Sequence, residues 1–464
     1  MVRWYRSKTA ADPGWRAVLR RDRPEWEQAL ARAKNGPRVV LATSIGGYWA
    51  GTTLESLLAV ALTLRGADVQ VLLCDGVLDA CQACEARAYA RLESFARHGP
   101  QGGICGGCFE PGRRLFESLG LTAHRYSAHL TPADLEQARQ VAAVLSAESI
   151  PGYELDGARV GEHALAGALR FFARGDLDGE PQGEAVLRRY LKAAVTTYFS
   201  ARRLFEDLEP ECAAFHHGIY VPQGLVGDAA RRCGVRVVNW NPAYRKRCFI
   251  FSHGGTYHHT LLDEPMSAWE SVPWTPELEA LTVGYLKSRW QGTDDWIWFH
   301  KDPVEDIEGI ARSIGLDLSR PYVGLLTNVI WDAQLHYPRS AFPSMVHWLV
   351  ETVRRFARRP DLQLVIRIHP AEVRGTLPSR QQAGDELARA FPELPPNVLV
   401  IPPESRVSTY ALMEHANAAL IFGTKTGVEL AAMGIPVIVA GEAWVRGKGF
   451  THDARSSEDY ARWL

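Results

Sequence analysis

The chain has 464 residues, of which 46% are hydrophobic and 23% charged, an ordinary globular composition with room for roughly two to four domains. Lys and Arg number 52 and Asp and Glu 53, and this balance disfavours a dedicated nucleic-acid binder, which is usually basic overall. No run reaches the ~18 apolar residues that cross a bilayer, and the N-terminus lacks the apolar region of a secretion signal. We therefore expect a cytoplasmic protein.

The first half of the sequence has the pattern of a parallel α/β domain. After a polar start, PRVVLATS predicts a buried strand, LESLLAVALTLRG an amphipathic helix and ADVQVLLCDG the next strand. A stretch rich in Cys and Gly, at about 74–118, interrupts the alternation. Helices are expected up to about 208, and CAAFHHG and VRVVNWNP then predict two further strands. We predict a Rossmann-like, acceptor-side domain over 1–265 with a Cys-rich insertion.

The second half repeats this alternation after a break. Residues 266–320 carry Pro, Trp and charges without strand periodicity, and we predict a linker there. GLLTNV, LQLVIRIHP, NVLVIPPE, AALIFG and IPVIVAG then predict strands separated by helices, which indicates a second Rossmann-like domain over 321–464. The fold class is thus α/β, with two doubly wound domains facing a cleft, and ligands are expected at the carboxyl ends of the strands.

The segment from Phe422 to Gly449 has the features of an anion site. A predicted strand leads through Thr424, Lys425 and Thr426 into a helix, whose first N–H groups are unpaired and carry the positive end of the helix dipole. The threonine hydroxyls and the lysine would add donors, and Glu429 could accept from a ribose hydroxyl. The alternative is an ordinary βα turn that the threonines cap.

Further polar and cationic residues follow other strands of the same predicted domain. They are Thr327, Asn328 and Asp332 in LLTNVIWDA, Arg367 and His369 at the end of VIRIHP, and Arg446 and Lys448 in the loop after IPVIVA. Because parallel strands end at the same edge of a sheet, these side chains can converge with the threonine loop. We predict that together they bind the donor.

The segment IFGTKTGVELAAMGIPVIVAGEAWVRGKGFT resembles the donor-binding half of GT-B glycosyltransferases that build bacterial capsular and other surface polysaccharides. HHGIYVPQGLVGDAARRCGVRVVNWNPAYRK and LLTNVIWDAQLH are also similar to that family, and the resemblance spans roughly 38–455. It implies a GT-B fold and transfer of a sugar from a nucleotide-activated donor. The family's His-Pro pair matches His369 and Pro370, and its phosphate loop matches Thr424 and Thr426. In similar sialyl- and Kdo-transferases these features hold a cytidine nucleotide, which favours a CMP-linked donor, with UDP and GDP donors open.

The resemblance also implies that transfer needs no metal, and that charge on the leaving phosphate is met by hydroxyls, cations and helix dipole. An inverting transfer needs a base from the N-terminal domain. The candidates are His216 and His217, at the end of CAAFHHG, and Asp75, at the end of VQVLLCDG, with Glu55 in the first helix as a further option. A retaining mechanism would need no base at that position.

Two CxxC pairs predict a metal site in the Cys-rich stretch. Twenty residues separate the pair Cys81 and Cys84 from the pair Cys105 and Cys108, and Cys74 lies nearby. This spacing is typical of a structural four-thiolate zinc site. An iron–sulfur cluster, which four thiolates also hold, and unliganded reduced cysteines are the alternatives.

The expected partners are a nucleotide-sugar donor and a saccharide or lipid-linked glycan acceptor, without nucleic acid. Peripheral association with the inner face of the cell membrane or with an assembly complex is compatible with the sequence. A polyol-phosphate transferase and a sugar-nucleotide epimerase are alternative functions on the same fold. A zinc-stabilised, non-catalytic subunit of a polysaccharide assembly complex is an alternative of another class.

Overall fold

The computed structural model describes residues 14–100, 102–291, 293–297, 299 and 302–464. Its internal contacts divide the chain into two compact units. Unit 1 consists of Met1–Phe172, Asp176–Asn241 and Phe249–Tyr257, and unit 2 of Ala173–Gly175, Pro242–Cys248 and His258–Leu464.

Unit 1 is built on a six-stranded sheet with the order β3-β2-β1-β4-β5-β6. The strands are β1 (Arg38–Ser44), β2 (Asp68–Leu73), β3 (Thr122–Arg125), β4 (Cys212–His216), β5 (Arg236–Pro242) and β6 (Phe249–His253). The neighbouring pairs from β3 to β5 are all parallel. Every residue of β4 is buried, as expected for a central strand of a parallel sheet that helices cover on both faces.

The helices of unit 1 pack on this sheet. They are α1 (Trp15–Arg21), α2 (Arg23–Ala33), α3 (Trp49–Leu64), α4 (Leu92–His98), α5 (Gly102–Ser118), α6 (Pro132–Val144), α7 (Val160–Phe172), α8 (Gly183–Leu208) and α9 (Gln223–Arg232). The core on one face centres on α7 and α8, where aromatic side chains such as Phe171, Phe172, Tyr190 and Tyr198 are fully buried.

Unit 2 has a second six-stranded sheet with the order β12-β11-β10-β7-β8-β9, in which every neighbouring pair is parallel. Its strands are β7 (Tyr322–Leu326), β8 (Gln363–Arg367), β9 (Val398–Ile401), β10 (Ala418–Ile421), β11 (Val437–Val439) and β12 (His452–Asp453). Its helices are α10 (Tyr257–Asp263, starting at the last residue of unit 1), α11 (Ser267–Glu270), α12 (Pro276–Gln291), α13 (Ile307–Ile314), α14 (Met345–Phe356), α15 (Ala371–Arg374), α16 (Ala383–Ala390), α17 (Thr409–Glu414), α18 (Thr426–Ala432) and α19 (Ser457–Trp463).

The two sheets share one topology. Counted from its own first strand, each runs third, second, first, fourth, fifth, sixth. The direction of winding reverses between β1 and β4 in unit 1 and between β7 and β10 in unit 2, and open α/β sheets bind ligands at the carboxyl ends of the strands beside such a switch point. The predicted fold class, two doubly wound Rossmann-like domains as in GT-B proteins, is confirmed.

The predicted and observed elements differ in several places. The strands β3, β6 and β12 were not predicted, and β3 shows why: its four residues are only half-buried or exposed, so they form no apolar run. Residues 266–320, expected as a linker, contain α11, α12 and α13 of unit 2. Residues 74–118, expected as an insertion, form the connection from β2 to β3 and contain α4 and α5.

Among the described residues, no helix has the length and apolar character to span a membrane.

Candidate functional site

The carboxyl ends of β7, β8 and β10 bring polar side chains together at the switch point of unit 2. The hydroxyl of Thr327, which is 1% exposed, accepts a hydrogen bond from the backbone N–H of His369 at 2.9 Å. The side-chain oxygen of Asn328 accepts from the backbone N–H of Gly423 at 3.0 Å. Three strand ends are thereby linked directly, and the loop that carries Thr424 lies beside them.

The imidazole of His369 is oriented by its own chain. Its Nδ1 accepts a hydrogen bond from the backbone N–H of Ala371 at 3.1 Å, so a neutral ring carries its proton on Nε2 and is a donor there. The ring is half-buried and meets the Phe299 ring edge-on, with 5.4 Å between centroids. Pro370 follows and leads into the single turn of α15.

The threonines of the predicted phosphate loop interact with each other. The Thr424 hydroxyl donates to Thr426 Oγ1 at 3.2 Å and accepts from the Thr426 backbone N–H at 3.3 Å. The helix α18 that follows has only seven residues, so its dipole is smaller than that of a long helix. The helix begins after Lys425, and among the described residues no side chain caps it. The alternative in which the threonines cap a βα turn is therefore not what the structure shows.

Lys425 and Glu429 point into the interior of unit 2. The ammonium of Lys425 lies 3.4 Å from a Glu429 carboxylate oxygen and 4.3 Å above the Tyr244 ring. Glu429 is 2% exposed and also accepts from Arg289 Nε at 2.7 Å and from the Tyr410 hydroxyl at 2.9 Å. Burial lowers the pKa of Lys425 to about 8. The structure thus places both side chains in an internal ion cluster behind the threonine loop.

The other members of this cluster were not predicted from the sequence. Arg289 contacts Glu429 and also forms an ion pair with Asp295, which is 1% exposed. The cluster is largely buried and its charges are balanced, as a stable ion cluster requires. The cations are Lys425 and Arg289, and the carboxylates are Glu429 and Asp295. No local pattern could have revealed this pairing, because 140 residues separate Arg289 from Glu429 and Arg289 lies in the segment predicted as a linker.

Arg367 is occupied by a neighbouring loop. It is 2% exposed, and its guanidinium donates to the carbonyls of Pro402 at 2.6 Å and Ser405 at 2.9 Å. Burial, with a smaller effect of Arg374, lowers its pKa to about 10. The structure gives the Arg367 side chain the role of holding the loop after β9, while its backbone carbonyl accepts from the Thr327 N–H at 3.2 Å.

Three other predicted donor residues also make contacts within unit 2. Arg446 donates to the Gly441 carbonyl at 2.9 Å, and Lys448 donates to two carbonyls of the segment 262–264. These bonds fix the loop after β11. Asp332 lies close enough to Tyr244 to raise the pKa of that phenol, although burial makes the larger contribution.

At the switch point of unit 1, His216 is the last residue of β4. It is 9% exposed and packs between Trp240 and Tyr48, with ring centroids at 4.7 and 5.2 Å. Burial lowers its pKa to about 4, and its Nδ1 has no hydrogen-bond partner among the described residues. His217 follows with a φ of 69° and is half-buried, so its ring is the more accessible of the two.

Glu55 lies beneath this histidine pair. It is 2% exposed in α3, and its carboxylate accepts from Trp240 Nε1 at 3.0 Å. Burial raises its pKa to about 7, despite hydrogen bonds that include the backbone of His216. A buried carboxyl group and a buried imidazole, each with a shifted pKa, thus lie next to each other at the carboxyl ends of the strands.

Asp75 stands apart from these groups. It follows β2, which β1 separates from β4 in the sheet. Its carboxylate accepts from the backbone N–H of Ser127 at 3.2 Å and from the Ser127 hydroxyl at 2.5 Å. The structure therefore does not bring Asp75 together with His216 and His217.

The cysteines of the predicted metal site approach one another in unit 1. The sulfurs of Cys81 and Cys84 are 3.9 Å apart, and the Cys108 sulfur accepts from the backbone N–H of Gly47 at 3.1 Å. Across the described part of the chain, however, no three His, Cys, Asp or Glu side chains are grouped as a bound metal ion would require.

Comparisons with known proteins give one family match and several distant structural matches. The family model described as "Capsule polysaccharide biosynthesis protein" matches residues 312–462, a segment that contains every strand of unit 2. No curated protein sequence matches the chain.

Among solved structures, the chain is similar to the KpsC β-Kdo 2,4 transferase of Thermosulfurimonas dismutans, with 16% identity over 54% of this chain and 75% of that one, at a TM-score of 0.36. It is also similar to the UDP-GlcNAc 2-epimerase of Neisseria meningitidis, with 10% identity over 87% and 82% of the two chains, at a TM-score of 0.22. At these TM-scores we transfer no residue roles from either protein. Through residues 312–462 the chain is similar to the capsule polysaccharide biosynthesis proteins, and its two doubly wound units agree with the GT-B glycosyltransferase type that the sequence resemblance implies.

Proposed function

We propose that the chain is a glycosyltransferase that moves a sugar from a nucleotide-activated donor to a surface or capsular polysaccharide acceptor. One observation carries this proposal. The segment that matches the capsule family contains a switch point where Thr327 bonds His369 and Asn328 bonds Gly423, the residue before Thr424. Ligands of open α/β sheets bind at such a point.

The side chains at this edge suit the phosphate of a leaving nucleotide. In the transfer, the acceptor oxygen bonds to the anomeric carbon, the bond from that carbon to the donor phosphate breaks, and the nucleotide leaves with the electron pair. Hydroxyl groups of Thr424 and Thr426 and the Nε2–H of His369 are donors that can meet the charge on that phosphate. The His-Pro pair and the threonine loop, which resemble a cytidine-nucleotide site, favour a CMP-linked donor over UDP or GDP donors.

An inverting reaction would pass the acceptor proton to a base in unit 1. Burial lowers the pKa of His216 to about 4, so its ring is neutral at pH 7 but is a weak base there. His216 is buried, whereas His217 is half-buried. Direct contact with an acceptor hydroxyl therefore favours His217, with His216 and Glu55 packed behind it.

A nucleotide titration tests this proposal. The thermal stability of the full chain is followed with CMP, CDP, UDP and GDP, and a nucleotide at 100 times its Kd should add about 2.7 kcal/mol. We expect the cytidine nucleotides to give the largest shift. A melting temperature that none of the four nucleotides changes would contradict a nucleotide-sugar transferase and favour the non-catalytic subunit. Strong preference for UDP would point to the epimerase alternative or to a UDP-sugar donor.

A pair of variants locates the site. Thr424→Ala combined with Thr426→Ala should weaken nucleotide binding at least tenfold, which is about 1.4 kcal/mol. Ser456→Ala is the control, because the Ser456 hydroxyl of unit 2 also accepts a backbone N–H, that of Asp459 at 3.2 Å, away from the switch point. Equal affinity in the two proteins would show that the nucleotide binds elsewhere.

A further inference from the structure

The outer face of α3 in unit 1 is apolar. The helix has the sequence WAGTTLESLLAVALTL, and its one charged residue, Glu55, is buried on the inner side, where it bonds Trp240 of β5. A helix that covers a sheet normally carries polar or charged residues on its solvent side. The positions of α3 that face away from the sheet are instead apolar, apart from Thr53.

Three large side chains of this face lie in water. Trp49 is 39% exposed, Leu57 49% and Leu64 51%. Helical periodicity places them within about 80° of one another around the axis, and they span about 22 Å along it. Single exposed apolar residues are ordinary, whereas a contiguous apolar face marks a contact surface. We call these three residues the α3 stripe.

The helix α1 borders this face and is basic. The indole nitrogen of Trp15 in α1 donates to the Ser56 hydroxyl of α3 at 2.9 Å, which joins the two helices. Arg16 and Arg20 follow Trp15 and are exposed. Val18, between them, is also exposed and adds to the apolar surface.

The charges around the α3 stripe are mostly positive. Residues 14–36, which include α1 and α2, contain six Lys or Arg and three Asp or Glu, and all six cations are exposed. Arg65 directly follows α3 and is exposed too. Arg20 and Arg65 each donate to a backbone carbonyl at 3.3 Å. Because these acceptors are uncharged, both side chains keep a net positive charge at the surface.

We propose that the α3 stripe and its basic border bind the surface of an anionic phospholipid bilayer. Trp and Leu side chains enter the headgroup region, and the arginines pair with lipid phosphates. This combination characterises helices that lie in a membrane interface. With 16 residues, α3 is shorter than the ~20 residues that cross a bilayer, so it lies along the surface.

Charge favours a bilayer over a second copy of the chain. A symmetric dimer brings the same patch together from both subunits, so the two basic borders would repel each other, whereas anionic lipids neutralise them. Unit 2 also exposes tryptophans, at Trp269 and Trp274. Residues 264–279 around them contain four Glu and no Lys or Arg, and an anionic surface would repel that segment.

The α3 stripe begins at the switch point of unit 1. Tyr48 precedes Trp49, and its ring centroid lies 5.2 Å from that of His216 at the end of β4. Binding through the stripe therefore places these strand ends close to the lipid headgroups. This position suits a lipid-linked acceptor. The membrane contact itself does not depend on the proposed transfer.

Vesicle flotation of the full chain tests the proposal. We expect the chain to float with vesicles of mixed phosphatidylglycerol and phosphatidylcholine, and to bind phosphatidylcholine alone about tenfold more weakly. Added salt should weaken the binding, because it screens the arginines. Leu57→Glu should weaken it at least tenfold. Leu281→Glu is the matched control and should bind as the unaltered chain does, because it adds the same charge at a leucine of α12 that is 54% exposed.

Three results overturn the proposal. They are no flotation with the phosphatidylglycerol vesicles, equal binding by the two variants, and a lipid-free dimer that Leu57→Glu dissociates in sedimentation, since a second copy would then cover the stripe. If Leu57→Glu fails to fold, Leu64→Glu carries the same test at the other end of α3. Nucleotides should stabilise Leu57→Glu as much as the unaltered chain, so a failure here is distinct from a failure of the proposed function.

Discussion

The Thr327 hydroxyl accepts the backbone N–H of His369 at 2.9 Å, and this bond joins the ends of β7 and β8 at the switch point of unit 2. Thr327 is 1% exposed, so its hydroxyl acts on the His369 backbone. This bond fixes the backbone position of His369, and the hydrogen bond from the Ala371 N–H to Nδ1 fixes the orientation of the imidazole ring. The position of the candidate donor group thus depends on a residue that is itself buried.

Thr327→Val tests this dependence. The variant leaves the buried His369 N–H without its acceptor, which should cost about 1–3 kcal/mol of unfolding free energy. The displaced imidazole should also weaken nucleotide binding about tenfold. Thr352→Val is the control, because the Thr352 hydroxyl is equally buried and bonds Trp348 and Tyr460 away from the strand ends. Chemical denaturation and calorimetric titration measure both effects, and equal affinity in the two variants would contradict this role.

Glu429→Gln tests the internal ion cluster. The substitution leaves Lys425 and Arg289 with one carboxylate fewer, and an uncompensated buried charge costs about 3–5 kcal/mol. Adding Lys425→Met should restore part of that loss, which a double-mutant cycle would show as coupling. Glu308→Gln is the control, because Glu308 is 76% exposed in its pair with Arg312, and its loss should change stability by less than about 1 kcal/mol. A Glu429→Gln protein as stable as the control would show that the cluster is not a buried ionic group.

His216 should make unit 1 sensitive to acid. Burial lowers its pKa from 6.5 to about 4, so between these pH values the unfolded chain binds a proton that the folded chain does not. The unfolding free energy should therefore fall as the pH drops from about 6.5 to about 4, by up to roughly 3 kcal/mol. Urea denaturation of His216→Gln across this range should lack that part of the slope. An unchanged slope would mean that the imidazole is not buried in its neutral form.

Glu55 should contribute a pH dependence of the opposite sign. Burial raises its pKa from 4.5 to about 7, so the folded chain holds a proton that the unfolded chain releases. Its stabilising contribution is complete below about pH 4.5 and is lost as the pH rises through about 7. As the pH rises, Glu55→Gln should therefore gain stability relative to the unaltered protein. His216→Gln should lose stability relative to the unaltered protein over the same change. Parallel trends in the two variants would contradict one of these assignments.

Replacing either of two glycines of α5 by alanine should change the stability of the protein, in opposite directions. A Cβ on Gly112 would lie 2.8 Å from the Gly46 Cα, which is backbone and cannot move aside alone. Gly112→Ala should push α5 away from the β1 loop and cost about 1–3 kcal/mol. A Cβ on Gly106 would meet no atom of the described residues within 4 Å, so Gly106→Ala should gain up to about 1 kcal/mol from helix propensity. Thermal denaturation compares the stabilities of the two variants. Equal effects would show that α5 does not pack tightly against the β1 loop at Gly112.

Much of the fold could be predicted because strand signals are local. The central strands such as β1, β4, β7 and β10 are short, continuous apolar runs, and burial on both faces produces that pattern. The edge strand β3 is only partly buried and escaped prediction for the same reason. In the candidate sites, Thr327, His369 and His216 were found because polar residues that end a buried strand stand out in the sequence.

The direction of each charged side chain could not be predicted in this way. Arg367 ends a strand and Lys425 follows one, close in sequence to His369 and Thr424. Yet Lys425 pairs with Glu429, and Arg367 binds the carbonyls of Pro402 and Ser405. A cation removed from water binds the strongest acceptor that the fold brings near it. That acceptor comes from packing and need not be close in the sequence.

The sequence by itself determined the central strands, most of the helices between them and the polar residues at which those strands end, because periodicity and burial are properties of short segments. Only the tertiary structure decided which strand ends lie together. The order third-second-first-fourth places Asn328 beside Gly423 and His216 beside Tyr48 of the β1 loop. It leaves Asp75 at the end of β2, on the far side of β1 from His216, where it bonds Ser127. The physical reason is that strand order arises from crossover connections and from the packing of distant helices, and ion pairs such as Arg289–Glu429 form only after that packing is complete.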